Sequence, residues 1–138
     1  MGYNPNWDVD LREGEISEEA VKAGCSGTVE VKRQARVLHF GLVFVEVQQR
    51  PRRGGAWKPS GLSTSTADHW AFQLGANGRD IMSTLWIATD ELRGIVDELA
   101  YEQGYREPVH NDVQGRGVVV PLTRLLGLDH DTAPRRAA

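Results

Sequence analysis

Two stretches of alternating apolar and polar residues predict β-strands in the first third of the chain. They cover residues 28–32 (TVEVK) and 42–48 (LVFVEVQ), and valines recur at every second position in both. Successive side chains of a strand point to opposite faces of its sheet, so residues two apart share a face. The valines therefore predict a buried face, and Glu30 and Glu46 are predicted to lie opposite it.

A turn near Leu38 would make these two strands antiparallel neighbours. In that register Glu30 lies across from Glu46, and Lys32 shares their face because it stands two residues after Glu30. The prediction is a sheet face that holds two carboxylates and one amine, with the valines on the other side.

Helix signals occur before and after these strands. Residues 16–23 predict a short helix, with Ser17 as its N-cap and Gly24 as its stop. Residues 90–103 predict a longer helix capped by Thr89, with an apolar side directed at the core. That side is formed by Leu92, Ile95, Val96 and Leu99.

The rest of the chain predicts strands, loops and a final helical turn. Residues 70–74 and 83–88 form a hairpin, because Asn77-Gly78 between them is a strong turn signal. Trp70 and Trp86 are predicted core residues of this hairpin. The remaining predictions are loops over 50–61 and 105–117, a strand over 118–120 and a helical turn over 121–126.

The 138 residues fit one domain. Mixed strand and helix signals predict an α/β (α+β) fold, with a central mixed sheet of about four to five strands flanked by helices. We expect an irregular arm over residues 1–12, the domain over 13–127 and a disordered tail over 128–138.

Cysteine content and hydropathy bear on the compartment. The single Cys25 cannot pair within the chain, which favours a reducing environment. The first residues lack the basic and apolar regions of a signal peptide, and no apolar run approaches the roughly 20 residues of a membrane helix. These observations predict a cytoplasmic protein without a membrane partner.

Charge is distributed unevenly along the chain. Residues 1–31 hold seven acidic and two basic side chains, whereas residues 32–58 hold seven basic and one acidic. Basic side chains bind phosphates and clustered carboxylates bind divalent cations, so the contrast predicts a nucleic-acid partner and a metal. The predicted nucleic-acid contacts are Arg33, Arg36, Arg50, Arg52, Arg53, Trp57, Lys58 and Ser60.

Glu30, Glu46 and Lys32 are the residues predicted to carry chemistry. Two carboxylates about 4 Å apart repel by roughly 4 kcal/mol at an effective dielectric of 20, and a bound cation reverses that repulsion. Hard oxygen ligands suit Mg²⁺ or Mn²⁺. A metal there would activate water, and the Lys32 amine would stabilise charge on a phosphodiester.

Several short motifs follow one another along the chain: Asp10-Leu11 with Gly14 and Glu18, VEVKR at 29–33, FGLVFVE at 40–46, SGLSTSTADHW at 60–70, LWI at 85–87 and VVVPL at 118–122. Their order resembles that of small, phage-associated members of the PD-(D/E)XK nuclease superfamily. The resemblance implies a restriction-endonuclease-like αβββαβ core and hydrolysis of DNA. It also suggests a phage-encoded protein in the host cytoplasm, with a homodimer as one compatible assembly.

The resemblance implies roles for individual residues. Glu30, Lys32, Glu46 and Glu18 would be catalytic, and Glu30, Glu46 and Asp10 would bind the metal. Two assignments stay open: Glu30-x-Lys32 is the (D/E)XK motif, or Glu30 takes the family aspartate's role and Glu46-Val47-Gln48 is a variant motif with Gln for Lys. Two other functions also stay open: an inactive nucleic-acid-binding protein of the same fold, and a structural or host-interaction phage protein.

Overall fold

A computed structural model describes residues 26–128 of the chain. The strands are β1 (Val29–Gln34), β2 (Leu42–Pro51), β3 (Lys58–Pro59), β4 (His69–Gly75), β5 (Ile81–Ala88), β6 (Val109–His110) and β7 (Val113–Pro121). The helices are α1 (Val37–Phe40), α2 (Thr89–Gln103) and α3 (Leu122–Leu125), and Gly61–Ser63 form a 3-10 turn. The predicted arm, the predicted helix over 16–23 and residues 129–138 of the predicted tail lie outside the described residues.

The strands form two sheets, and the α+β class predicted from the sequence is confirmed. One sheet has three strands in the order β1-β4-β5, and the other has four in the order β3-β2-β7-β6. The expected single central sheet of about four to five strands is therefore wrong. Within residues 26–128, no helix is long and apolar enough to cross a membrane.

The predicted pairing of the first two long strands is also wrong. β1 runs parallel to β4, with Glu30 beside Trp70, whereas β2 pairs with β7, with Glu46 beside Gly117. The physical reason lies in the connection. Instead of a hairpin turn, the chain makes the helical turn α1, which ends at Gly41 with a φ of 70°. Gly41, with this left-handed backbone conformation, directs the chain into β2 of the other sheet.

The core is built from the side chains that the alternating pattern marks as apolar. Every second residue of β2 from Val43 to Val47 is buried, as predicted. The apolar side of α2 is also buried, and α2 contacts β7. Trp70 is buried in this core, but Trp86 is 48% exposed, so its predicted core position is wrong.

Other element predictions meet mixed outcomes. The β4–β5 hairpin is confirmed, and its turn is held by the side chain of Asn77, which accepts hydrogen bonds from the backbone N–H groups of Arg79 and Asp80. The predicted loop over 105–117 is wrong in part, because β6 and the beginning of β7 lie within it. The loop over 50–61 likewise contains β3.

Thr89 does not cap α2. It is the first residue of the helix, and its hydroxyl donates to the backbone oxygen of Ala67 at 2.6 Å instead of bonding to the helix. Threonine is favourable at a helix start, but here a neighbouring loop offers a competing acceptor.

Candidate active site

Glu30 and Lys32 form a close ion pair on the edge strand β1. The Lys32 Nζ lies 2.6 Å from Glu30 Oε1, and the two side chains are 39% and 41% exposed. The register of β1 with β4 places both on the same sheet face as Trp70 and Phe72. The Lys32 amine lies 5.2 Å from the Trp70 ring centroid. One side of the pair is therefore aromatic, and the other is open.

The open side faces a cavity of about 480 Å³. Its opposite wall is the segment that joins the 3-10 turn to β4. Gly61 of the 3-10 turn and three residues of the joining segment line the cavity together with Glu30 and Lys32: Thr64, Ser65 and Thr66. A neutral ion pair beside hydroxyl groups gives the cavity a polar lining, which suits a polar ligand.

The wall opposite Glu30 is held in place by hydrogen bonds. The Ser65 hydroxyl accepts from Trp70 Nε1 at 3.1 Å, and the Ser65 carbonyl oxygen accepts from Arg93 Nη2 at 2.7 Å. The Asp68 carboxylate accepts from the Thr28 backbone N–H at 2.9 Å and from its hydroxyl at 3.2 Å. These bonds fix the cavity between β1 and the loop.

The same contacts lower the pKa of Asp68 below its usual value of 3.8. The backbone hydrogen bond from Thr28 is the largest cause, followed by the bond from the Thr28 hydroxyl. Both donors stabilise the ionised carboxylate. Asp68 is therefore an acceptor that fastens the start of β1 to the start of β4.

Glu46 lies in a different environment. Its Oε1 accepts a hydrogen bond from the Ser60 hydroxyl at 2.6 Å, and Ser60 is only 8% exposed. Its Oε2 lies over Gly115, at 2.7 Å from the place that a Cβ would occupy. Glu46 is not among the residues that line the cavity beside Glu30. The predicted shared sheet face of Glu30 and Glu46 is wrong, because the two strands belong to separate sheets.

A β-bulge separates Glu46 from Gln48. The register of β2 with β7 shifts between these residues: Glu46 pairs with Gly117 and Gln48 with Arg116. A bulge inserts one residue and changes which face the following side chains occupy. Accordingly, Gln48 Oε1 accepts from Arg116 Nη1 at 3.1 Å, away from the Glu46 carboxylate over Gly115. The side chains of Glu46 and Gln48 in the variant motif Glu46-Val47-Gln48 therefore lie on different faces of the sheet.

The predicted metal ligands are only partly within the described residues. Glu30 borders the cavity, Glu46 is directed elsewhere, and Asp10 and the predicted catalytic Glu18 lie outside residues 26–128. Within those residues, no three His, Cys, Asp or Glu side chains are grouped to hold a metal ion. Mg²⁺ commonly takes one or two protein carboxylates with waters and substrate phosphates, and Glu30 fits that limited share of the ligands.

Trp57 packs against two of the arginines around it. The Arg50 guanidinium carbon lies 4.4 Å from the Trp57 ring centroid, and that of Arg116 lies 4.0 Å from it. Arg50 Nε also donates to Gln114 at 2.8 Å, and Arg116 forms an ion pair with Glu107 at 2.8 Å. Arg50 is therefore part of the structure of this sheet end.

The other predicted nucleic-acid contacts fall into two groups. Arg52, Arg53 and Lys58 are exposed near Trp57, at one end of the four-stranded sheet. Arg33 and Arg36 belong to the three-stranded sheet and its exit, where Arg33 donates to the backbone oxygen of Arg79. The eight residues therefore form no single track. Ser60, the last of them, is buried and bonded to Glu46.

The hydroxyl residues of the cavity wall lie in the matching segment 60–70, but the sequence predicts no role for them. The signal for them is the run STST at 63–66, directly before Asp68. Such a run reads as an ordinary loop unless the partner strand β1 is known to lie across from it. The role of Arg93 in bonding this wall carries no sequence signal, because the contact joins residues 28 positions apart.

Comparison of the chain with protein-family models, with curated proteins and with solved structures found no match. Function must therefore be inferred from the chain's own side chains and their geometry.

Proposed function

We propose that the chain is a divalent-metal-dependent nuclease of the PD-(D/E)XK kind that hydrolyses DNA, with Glu30 and Lys32 at its catalytic centre. The observation that carries the proposal is a carboxylate and an amine, 2.6 Å apart, at the edge of an open polar cavity. Of the two motif assignments, the bulge at Val47 favours the one in which Glu30-x-Lys32 is the (D/E)XK motif.

Glu30 would hold Mg²⁺ or Mn²⁺, with Asp10 as the predicted second carboxylate. A cation held there would supply an activated water and stabilise negative charge on the phosphodiester. An exposed ion pair contributes only about 0–1 kcal/mol, so Lys32 exchanges Glu30 for another anion at little cost. With Glu30 engaged by a cation, the Lys32 amine would be free to donate to the scissile phosphate.

Arg52, Arg53 and Lys58 would bind the backbone of the DNA. All three are exposed within residues 52–58. Trp57, on the same stretch, stacks against the Arg50 guanidinium. Phosphate contacts of this kind position a nucleic acid without reading its sequence. The proposal includes the αβββαβ order of the superfamily, with residues 16–23 as its first helix.

Cleavage of plasmid, linear and four-way-junction DNA tests the proposal. Wild-type protein should cleave at least one of them with Mg²⁺ or Mn²⁺ and none in EDTA. Lys32→Ala should lower the rate at least about 100-fold, because the amine acts on the charge that develops in the transition state. Lys58→Ala removes an equal charge outside the cavity and should cost less than about tenfold. Equal rates for wild type and Lys32→Ala would refute the catalytic role.

A nucleic-acid-binding protein without hydrolytic activity is the second candidate. The hydrogen bond from Ser60 to Glu46 favours this candidate. Among residues 26–128, it leaves Glu30 as the one carboxylate that lines the cavity. This candidate predicts DNA binding that weakens steeply with salt, together with no cleavage under any metal. It also predicts that Lys32→Ala and Lys58→Ala weaken binding by similar factors.

A further inference from the structure

The cavity beside β1 is lined by four hydroxyl side chains that the protein uses in different ways. They are Thr28, Thr64, Ser65 and Thr66. The Thr28 hydroxyl donates to the Asp68 carboxylate at 3.2 Å, and the Thr64 hydroxyl donates to the carbonyl oxygen of Gly61 at 3.3 Å. The protons of these two hydroxyl groups are therefore engaged within the protein.

Ser65 differs because the acceptor sites of its hydroxyl oxygen are both occupied. Its Oγ accepts from Trp70 Nε1 at 3.1 Å and from the Ala67 backbone N–H at 3.4 Å. A serine hydroxyl has two lone pairs and one proton, so an oxygen that accepts twice can act further only as a donor. Within residues 26–128, no acceptor takes that proton. Ser65 therefore offers one hydrogen-bond donor to a ligand in the cavity.

The position of this donor is fixed by its surroundings. The Ser65 carbonyl oxygen accepts from Arg93 Nη2 at 2.7 Å, which holds the backbone. Trp70, which holds the hydroxyl, is itself buried in the core. Thr66, in contrast, is exposed, and its hydroxyl bonds to no other residue of the described range 26–128. A donor that is held in place before the ligand arrives loses less conformational entropy on binding, which favours Ser65 as the ligand contact.

Trp70 also connects Ser65 to Lys32. Its indole Nε1 bonds to Ser65, and its ring centroid lies 5.2 Å from the Lys32 Nζ. One buried side chain therefore contacts both a neutral donor and a cationic donor that border the same cavity. Hydroxyl and amine groups are among those with which proteins contact the phosphate oxygens of nucleic acids.

We propose that the Ser65 hydroxyl binds a phosphate oxygen of a polynucleotide strand in this cavity, and that Trp70 is the residue that positions it. The inference deepens the proposed function and rests on it for the identity of the ligand. The hydroxyl donates a hydrogen bond, and no covalent bond is made or broken. Because this donor is neutral, it adds affinity without the release of counterions that accompanies a charged contact.

Binding of a short fluorescein-labelled DNA duplex to the full chain tests the inference, with anisotropy measured in EDTA so that hydrolysis does not intervene. Ser65→Ala should weaken binding about tenfold, because it removes a hydrogen bond to a charged group. The slope of log affinity against log salt should stay at the wild-type value, whereas Lys32→Ala should lower it by about 1. Ser63→Ala, at an exposed serine outside the cavity, is the matched control and should stay within about twofold of wild type.

A double-mutant cycle tests the positioning role of Trp70. Trp70→Phe keeps a buried aromatic ring but removes the Nε1 donor, so it should weaken binding about threefold in the wild-type background. In the Ser65→Ala background it should have no further effect, because the indole acts through Ser65. The double variant also lacks the unpaired indole N–H that Ser65→Ala creates, so it replaces the single variant if circular dichroism shows that Ser65→Ala does not fold.

Several outcomes overturn the inference. Equal affinities of wild type and Ser65→Ala exclude the contact, even if wild type cleaves DNA. A loss of affinity with a lower salt slope means that the substitution acts by displacing Lys32. Additive effects of Ser65→Ala and Trp70→Phe exclude the positioning role.

The inference and the nuclease proposal can fail separately. Binding that depends on Ser65, without cleavage under any metal, supports the phosphate contact and refutes the hydrolytic function. Cleavage and binding that are both unaffected by Ser65→Ala have the opposite meaning. Absence of DNA binding by wild type overturns both.

Discussion

Glu30 and Glu46 look alike in the sequence and differ in almost every structural respect. Each is flanked by valines on a strand. Glu30 is on an edge strand, paired with Lys32 and beside a cavity, whereas Glu46 is on an interior strand and bonded to the buried Ser60. The first carboxylate is available to a ligand, and the second is engaged by the protein.

The difference arises from what surrounds each strand. The edge strand β1 has a neighbour on one side only, so its side chains can meet solvent and ligands. β2 has neighbours on both sides, and glycines in the adjoining β7 leave room for the Glu46 side chain over Gly115. Position in the sheet therefore separates a carboxylate that borders an open cavity from one that is bonded to a buried side chain, although the sequence pattern is the same.

The largest expected effect separates the two glutamates by activity. Glu30→Gln should lower DNA cleavage at least about 100-fold, because it removes the negative charge that would hold the cation. Glu46→Gln keeps a hydrogen-bond acceptor for Ser60 and should stay within about threefold of wild type. Initial rates at saturating Mg²⁺ make the comparison. Equal losses for both variants would mean that the two carboxylates act together after all.

Stability should separate the two regions in the opposite direction. Ser60→Ala removes the donor to Glu46 and should lower the free energy of unfolding by about 1–2 kcal/mol. Ser63→Ala, at an exposed position three residues away, is the control and should change it by less than about 0.5 kcal/mol. Lys32→Ala should behave like the control, since exposed ion pairs contribute little. Urea titration gives all three values, and an unchanged midpoint for Ser60→Ala would remove the structural role of the bond.

The arginines near Trp57 should show the same contrast between an exposed residue and one engaged by the protein. Arg116→Ala loses the contacts with Trp57, Glu107 and Gln48 and should cost about 1 kcal/mol of unfolding free energy. Arg52→Ala should leave stability unchanged but weaken DNA binding and lower the slope of log affinity against log salt by about 1. Fluorescence anisotropy at several salt concentrations measures the slope. If the slope is the same as in wild type, Arg52 does not contact phosphate.

The smallest effect concerns the pH dependence of the β1–β4 contact. Hydrogen bonds from Thr28 lower the pKa of Asp68 in the folded protein below its usual 3.8. Ionised Asp68 therefore stabilises the fold above about pH 4, and this contribution is lost as the pH falls through the lowered pKa. An NMR titration should find the Asp68 midpoint below 3.8 in wild type and nearer to that value in Thr28→Ala. Thr28→Ala keeps the backbone N–H donor, so a midpoint that it leaves unaffected would exclude the contribution of the Thr28 hydroxyl.

Local patterns in the sequence predict much of this fold. Three local predictions are confirmed: the buried valines of β2, the turn at Asn77-Gly78 and the buried apolar side of α2. Their signals are local because alternation, turn type and helical periodicity depend on residues a few positions apart.

The partners of these elements could not be predicted in the same way. β1 takes β4 as its neighbour, about 40 positions away, because α1 diverts the chain before β2 begins. The bulge at Val47 has no signal in the strand itself, since the alternation continues through it. The Glu30–Lys32 pair could be predicted because both residues lie on one strand. The cavity wall across from the pair could not be predicted, because its residues belong to a distant part of the chain.

Binding of Mn²⁺ followed by NMR tests the central claim most directly, because it reports on the cation independently of cleavage. Substoichiometric Mn²⁺ should broaden backbone signals of residues 28–32 and 64–67, excess Mg²⁺ should reverse the broadening, and Glu30→Gln should abolish it. Broadening that is absent from these residues in wild type, or that persists unchanged in Glu30→Gln, would contradict a cation site at Glu30.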